Sequence, residues 1–292
     1  MTFKCSSMSR VAIIRGTNPV ETTVKALETI ETDVDSVISG KKPILIKPNY
    51  INSKHPSTGI TTDSRVIEGI VKFLRVRKME EITIGEGSGF ADTFQAFEIA
   101  GVDKVAERWN VKLVDLNKDE FVEVNPPNSL SLKKVRVAKT AVECIIISVP
   151  KLKPHRIATV TLSLKNMMGA LASKGSMHMG TSLSENIADL ASILKPSISV
   201  IDGIIAGEGH ETSENPIEMN LIIAGTDPVA VDAVGAAVMG IRPTDVKHLL
   251  LAEKKGLGTC HLEQITVLGE PIEKVKRKFH RSITSKLLVH LG

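Results

Sequence analysis

Aromatic side chains are scarce, at 3% of the 292 residues, with one Trp and one Tyr. That scarcity argues against the stacking platforms on which proteins lay out single-stranded nucleic acid, so no nucleic-acid partner is expected. Cysteine is nearly as rare. Cys5, Cys144 and Cys260 are odd in number, far apart, and form no CxxC. They exclude a disulfide framework and offer no iron–sulfur cluster held by this chain alone. No uninterrupted apolar run reaches membrane-spanning length. The opening MTFKCSSMSR lacks the apolar middle region of a secretory signal, and the expectation is a cytoplasmic protein. There is neither an internal repeat nor a low-complexity linker.

What is present suits a soluble globular chain: 42% hydrophobic and 24% charged residues, with a mild net charge of +4. Short β-branched runs recur with amphipathic helical spacing between them. VAII near residue 12, ILIK ending at Lys47-Pro48-Asn49, and EITIG ending at Gly85 read as strands. Val20, Val24, Leu27, Ile30, Val34 and Val37 space a helix over 20–38, and Thr61, Thr62 and Asp63 signal the start of another. This alternation predicts an α/β fold, a mainly parallel sheet flanked by helices. The charged, Pro-bearing stretch 117–140, with its alternating LSLKKVRVAK, predicts an inserted β-hairpin. Residues 1–272 are expected to form a single α/β domain, as one body or as two lobes around a cleft. The tail 273–292 reads as a basic C-terminal helix.

The most telling stretch is residues 144–169, CIIISVPKLKPHRIATVTLSLKNMMG. A buried strand, Ile145 to Val149, is stopped by Pro150, which has no N–H for a sheet ladder. Lys151, Lys153 and His155 follow, and ten residues after His155 come Lys165 and Asn166. Lys165 sits among Val160, Leu162, Leu164, Met167 and Met168, where a buried charge needs a partner or a function. Ligands gather outside the carboxyl ends of parallel strands. Lys47, Asn49, Glu86, Asp202 and Asp227 all follow predicted strands, so they are candidates to bind substrate with Lys151, Lys153 and Asn166. Asp232, among Val and Ala on a helix face, is a candidate partner for a site lysine. His155, whose ordinary pKa lies near neutrality, is a candidate acid/base group, and Lys165 a candidate anion holder or covalent amine. A small anionic carboxylate or phosphate ligand is the expectation. It would be handled by an isomerase or lyase-type enzyme, or by a non-catalytic module working with a redox partner or as a homo-oligomer.

VPKLKPHRIATVTLSLKNMMG, TTDSRVIEGIV, GEGSGFADTFQAFEIAGV and IIAGTDPVAVDAVGAAVMGI resemble blocks of the prokaryotic family catalogued as domain of unknown function 362. The resemblance runs from about residue 10 to 268. Many members carry four-iron clusters on CxxCxxCxxxCP runs, which this sequence lacks. A more distant likeness is to nickel-pincer lactate racemases, in which a Pro-His pair precedes the cofactor-bearing lysine by the spacing seen between Pro154-His155 and Lys165. Here Leu162-Ser163-Leu164 stands where the racemases have Gly-Gly-Arg. That likeness implies nickel or another divalent metal on His155 and His178. From the residues themselves, Glu208 and His210 are outside candidates if a metal binds. Cys260-His261 is a further adjacent pair of ligand types.

Overall fold

The structure, a computed structural model, describes residues 8–40, 42–178 and 182–282, without the side chains of Ser176 and His178. Cys5 and residues 283–292 lie outside the described residues. Strands β1 (Ser9–Arg15), β2 (Ile44–Pro48), β3 (Ile82–Glu86) and β4 (Lys112–Asp115) alternate with helices α1 (Pro19–Thr29), α2 (Glu31–Ile38), α3 (Ser64–Val76), α4 (Thr93–Ala100) and α5 (Val102–Trp109). The hairpin β5 (Phe121–Val124) and β6 (Val135–Ala138) follows, then α6 (Lys139–Glu143) and β7 (Ile145–Val149). A second small hairpin, β8 (Lys153–His155) and β9 (Thr159–Thr161), leads into α7 (Ser163–Asn166), α8 (Lys174–His178) and α9 (Leu183–Ala191). The chain closes with β10 (Ile198–Gly207), β11 (Pro216–Gly225), α10 (Pro228–Val238), α11 (Lys247–Lys254), β12 (Ile265–Gly269) and α12 (Ile272–Val275).

Among the described residues the main sheet has eight strands, ordered β12-β1-β11-β10-β7-β2-β3-β4. The expected α/β class, mainly parallel with an inserted hairpin, is what forms. All strands run one way except β11, which is antiparallel to both β1 and β10. β7 is central, between β2 and β10, as its unbroken apolar run requires of a strand covered on both faces.

Strand periodicity sorts the core. Val11, Ile13, Leu45 and Ile146 enter the apolar cluster on one face, while Ala12, Ile14, Ile44, Ile46 and Ile147 enter the other. One face is covered by α1, α3 and α4, with Val66, Ile67, Ile70, Val71, Phe73 and Leu74 of α3 all buried. The other is covered by α9, α10 and α11. Every residue of α10 is buried, and apart from Asp232 its sequence is apolar all round rather than striped. Each fully buried Ile or Val contributes about 1.5–3 kcal/mol relative to exposure.

Two expectations change. The helix over 20–38 breaks at Ile30 (φ −120°), which separates α1 from α2. The tail leaves helical geometry after Val275: residues 276–282 are non-helical, and Gly209 and Arg281 form a β-bridge. Val275 and Phe279 are buried against the body, and that docking rather than helix propensity sets the backbone there.

Candidate functional site

Because β2, β3 and β7 are parallel and adjacent, their carboxyl ends deliver Lys47, Glu86 and Val149 to one edge of the sheet. Lys47 and Glu86 form a buried ion pair at 2.8 Å, with the lysine side chain fully enclosed. Glu86 also accepts from the backbone N–H of Tyr50 and Gly87. Asn166 laces the edge together. Its Nδ2 donates to the Lys47 carbonyl and to Ser148 Oγ, and its Oδ1 accepts from Lys47 Nζ and Asn49 Nδ2. Gly169 lies over this pair so closely that an added Cβ would meet Lys47 Nζ at 2.6 Å. The ion pair can be roofed only by a residue without a side chain.

The β8–β9 hairpin brings the next groups. Lys153 Nζ donates to the carbonyls of Ile60 and Glu211, at 2.6 and 2.9 Å. His155 sits opposite Thr159 in the hairpin. Thr159 has φ +70°, an unusual conformation for a β-branched residue and one that persists where surrounding structure imposes it. The turn aims the N–H groups of Ile157 and Ala158 at His155 Nδ1, at 3.1 and 3.0 Å. Nδ1 must therefore present a lone pair, and the neutral ring carries its hydrogen on Nε2. Nε2 lies 3.8 Å from Glu211 Oε1, and the same carboxylate binds Arg156 Nε at 2.6 Å.

One turn of helix, α7, then presents Lys165. Asp232 on α10 accepts from the N–H groups of Ser163 and Leu164 at 2.7 and 2.9 Å. It is thus tied to the start of α7, where orphan N–H groups favour an acceptor.

These elements enclose a cavity of about 330 Å³. Five basic side chains line it, Lys47, Lys153, Arg156, Lys165 and Lys174, against two carboxylates, Glu86 and Glu211. Burial, with a smaller part from neighbouring like charge, has a marked effect on these groups. Burial, with the neighbouring Lys165 charge, lowers Lys153 to about 7. Burial also lowers Lys165 to about 8, against the opposing pull of Glu211. Burial lowers Lys174 as well. Glu211 is pushed up by burial, but its bonds to Arg156 outweigh that and hold it below the usual carboxylate range. Burial pushes Asp232 up to about 8 despite its two N–H donors.

Of the sequence candidates, Lys47, Asn49, Glu86, Lys153, His155, Lys165 and Asn166 all line the cavity. Lys151 and Asp202 do not. They pair with each other at 2.6 Å, both fully buried, and Asp202 also accepts from Asp63 N–H. They brace the loops instead of facing a ligand. Asp227 is on the opposite edge of the sheet, because β11 runs backwards; there it caps α10 through Val229 and Ala230 N–H. Asp232 partners backbone rather than a lysine, as its position facing the start of α7 dictates.

The two N–H donors at Nδ1 bear on the acid/base role expected of His155. To act as a base, Nε2 would have to lose its hydrogen and Nδ1 gain one, facing two N–H donors. His155 is built as a hydrogen-bond donor. A metal on Nε2 would need the other tautomer, and the side chain of His178, its expected co-ligand, lies outside the described residues. Glu208 accepts from His280 N–H and His210 Nδ1 from Thr212 N–H, and neither lines the cavity.

Sequence reasoning assigned no site role to Glu211, Arg156, Lys174 or His248. Glu211 and Arg156 are 55 residues apart, and no local spacing announces their pairing. His248 is fully buried with neither ring nitrogen hydrogen-bonded. Burial and the Lys165 charge push it down to about 3, so it is neutral.

A predominantly parallel α/β sheet with a lysine-rich cleft at its strand ends defines the class of protein. The family described as "Domain of unknown function (DUF362)" matches residues 44–237, two thirds of the chain, and the chain belongs to that family. It is also 24% identical over 241 residues to the "Thylakoid-associated protein sll1697" of Synechocystis sp. (strain ATCC 27184 / PCC 6803 / Kazusa), across 80% of this chain and 74% of that protein. The likeness to lactate racemases is not shown by either match. Among the described residues, no helix is long and apolar enough to cross a membrane.

Proposed function

We propose that the cleft binds a small carboxylate or phosphate and moves a proton on it, as an isomerase or lyase does. Lys153 and Lys165 are the acid/base amines in this reading, and His155 Nε2–H is a fixed donor to the anion. What supports it is that two enclosed lysines, at about 7 and about 8, line one cavity. Near neutral pH one amine accepts a proton while its neighbour still holds one, which is the pairing proton transfer needs. Lys47 and Arg156 are already neutralised by Glu86 and Glu211, so they set the shape of the site more than its charge. The half-buried Ile51 and exposed Phe90 and Ile157 at the cavity wall suit a ligand with a short carbon skeleton.

A test is to incubate the protein with a panel of small carboxylates and phosphorylated acids in D2O. Binding is followed by thermal shift, and deuterium entry at carbon by NMR. Stabilisation with carbon-bound exchange that Lys165→Met abolishes is the expected result. Stabilisation without exchange throughout the panel replaces the enzyme with an anion-binding module. The fixed pairing of Lys47 and Arg156 would suit such a module. No stabilisation by any anion ends both readings.

A further inference from the structure

Away from the cleft, the last turn of α11 and the segment joining it to β12 gather three side chains of metal-ligand type. The ligand atoms of Glu253, Cys260 and His261 lie within 4.8 Å of one another. We propose that Glu253, Cys260 and His261 form a binding site for one divalent ion of the zinc class.

Two of the three separations match the edge of a tetrahedron, and the third is within 4.8 Å. Bonds of about 2.0–2.3 Å from zinc to O, N and S put neighbouring ligand atoms roughly 3.3–3.5 Å apart. Cys260 Sγ is 3.3 Å from Glu253 Oε2, and His261 Nε2 is 3.3 Å from the same oxygen. Without an ion these are a thiol hydrogen bond and a histidine–carboxylate contact, and an ion seated between the three atoms would replace both.

The carboxylate is held for this task. Its other oxygen, Oε1, accepts from Thr259 Oγ1 at 2.8 Å and from Cys260 N–H at 3.1 Å, which turns Oε2 toward the sulfur and the imidazole. An outer carboxylate completes the set: His261 Nδ1 lies 3.5 Å from Glu263 Oε1. A carboxylate on the far ring nitrogen fixes the tautomer that leaves Nε2 free to ligate.

Charge and access agree with a dication. Thiolate and carboxylate together neutralise it, and the neutral imidazole adds none. On binding, the Cys260 S–H bond breaks, the sulfur keeps the electron pair for the metal, and the proton goes to solvent. Cys260 is fully buried, whereas the side chains of Glu253 and His261 are 24% and 39% exposed, so the ion arrives from the histidine side. A water fills the fourth position. Mixed S, N and O ligands favour zinc over magnesium or calcium.

The test uses the full-length protein stripped with chelator and titrated with Co2+. The expected result is one ion per chain, with a thiolate-to-cobalt charge-transfer band and the visible bands of a four-coordinate ion, both erased by Zn2+. Cys260→Ser should lose the charge-transfer band, while the double variant Cys5→Ser/Cys144→Ser should keep it. Should Cys260→Ser fail to fold, His261→Ala, which alters a partly exposed side chain, carries the comparison and should lose the four-coordinate spectrum. Glu263→Gln should weaken Zn2+ binding by about tenfold. A cobalt spectrum without the thiolate band, or one unchanged in His261→Ala, overturns the proposal.

Discussion

Replacing Lys165 by Met removes the ammonium and keeps most of the stem, so no large cavity is left to confuse the result. Lys165 titrates at about 8 in the folded protein against 10.5 for a free lysine. That difference corresponds to about 3 kcal/mol between its charged and neutral forms. The sign follows from the protons bound. Between pH 8 and 10.5 the unfolded chain holds the proton and the folded chain does not, so wild-type stability rises across that window. Below pH 8 both states are protonated and the folded state bears the full cost of the buried charge. Lys165→Met loses this contribution and keeps only the one from Lys153. Urea unfolding followed by the single Trp, the half-buried Trp109 that donates to Glu68 at 3.1 Å, gives both stabilities from pH 6 to 10.5. Wild type should gain on the variant by about 3 kcal/mol over that range. In the variant, Lys153 should titrate above about 7, because the Lys165 charge helps to hold it down. Two pH profiles that run parallel throughout would refute the lowering of Lys165 by burial.

Other outcomes follow from the same geometry. Glu211→Gln removes a carboxylate that helps Lys153 and Lys165 stay protonated, so both should titrate below about 7 and about 8; lysine side-chain NMR that leaves both unmoved contradicts this. Sulfate affinity should fall as pH rises through those two values, by up to about tenfold per pH unit for each ammonium lost; calorimetry showing affinity flat from pH 6 to 9 rules it out. Gly169→Ala must displace the enclosed Lys47–Glu86 pair, whose Nζ and Cε would lie 2.6 and 2.8 Å from the new Cβ. The cost should be about 3 kcal/mol, visible as a lowered Tm, and an unchanged Tm shows that the pair can shift freely.

Much of the fold could be read from the chain because strand-sized β-branched runs and helix caps are local signals. Ile145 to Ile147 had to be a two-sided strand, and the inserted hairpin showed in the alternation around Val135 and Val137. The direction of β11 was not legible. Leu221, Ile222 and Ile223 are as apolar as any parallel strand, and only the pairing with β1 and β10 reverses them. That reversal is why Asp227 left the site while Lys47, Glu86, His155 and Lys165 stayed. Lys151 and Asp202 met as sequence chemistry suggested, but with each other, since a fully dry ion pair is satisfied without a ligand. The hydrogen position on His155 depends on two N–H groups in a turn shaped by Thr159, and residue types alone do not record it.

The backward strand has a further consequence for how the chain could be divided. The segment matched by the family runs from 44 to 237, and β1 and β12 fall outside it, on the far side of β11. Within the matched segment alone, β11 would end the sheet. Its ladder from Leu221 to Gly225 now faces β1, and would then be bare along an apolar edge. Unpaired edges of that kind recruit strands from other molecules. The β1–β12 pair thus acts as a selvedge for β11: it adds nothing to the cleft, and it moves the open edge of the sheet from the buried run 221–225 to the partly exposed strand β12.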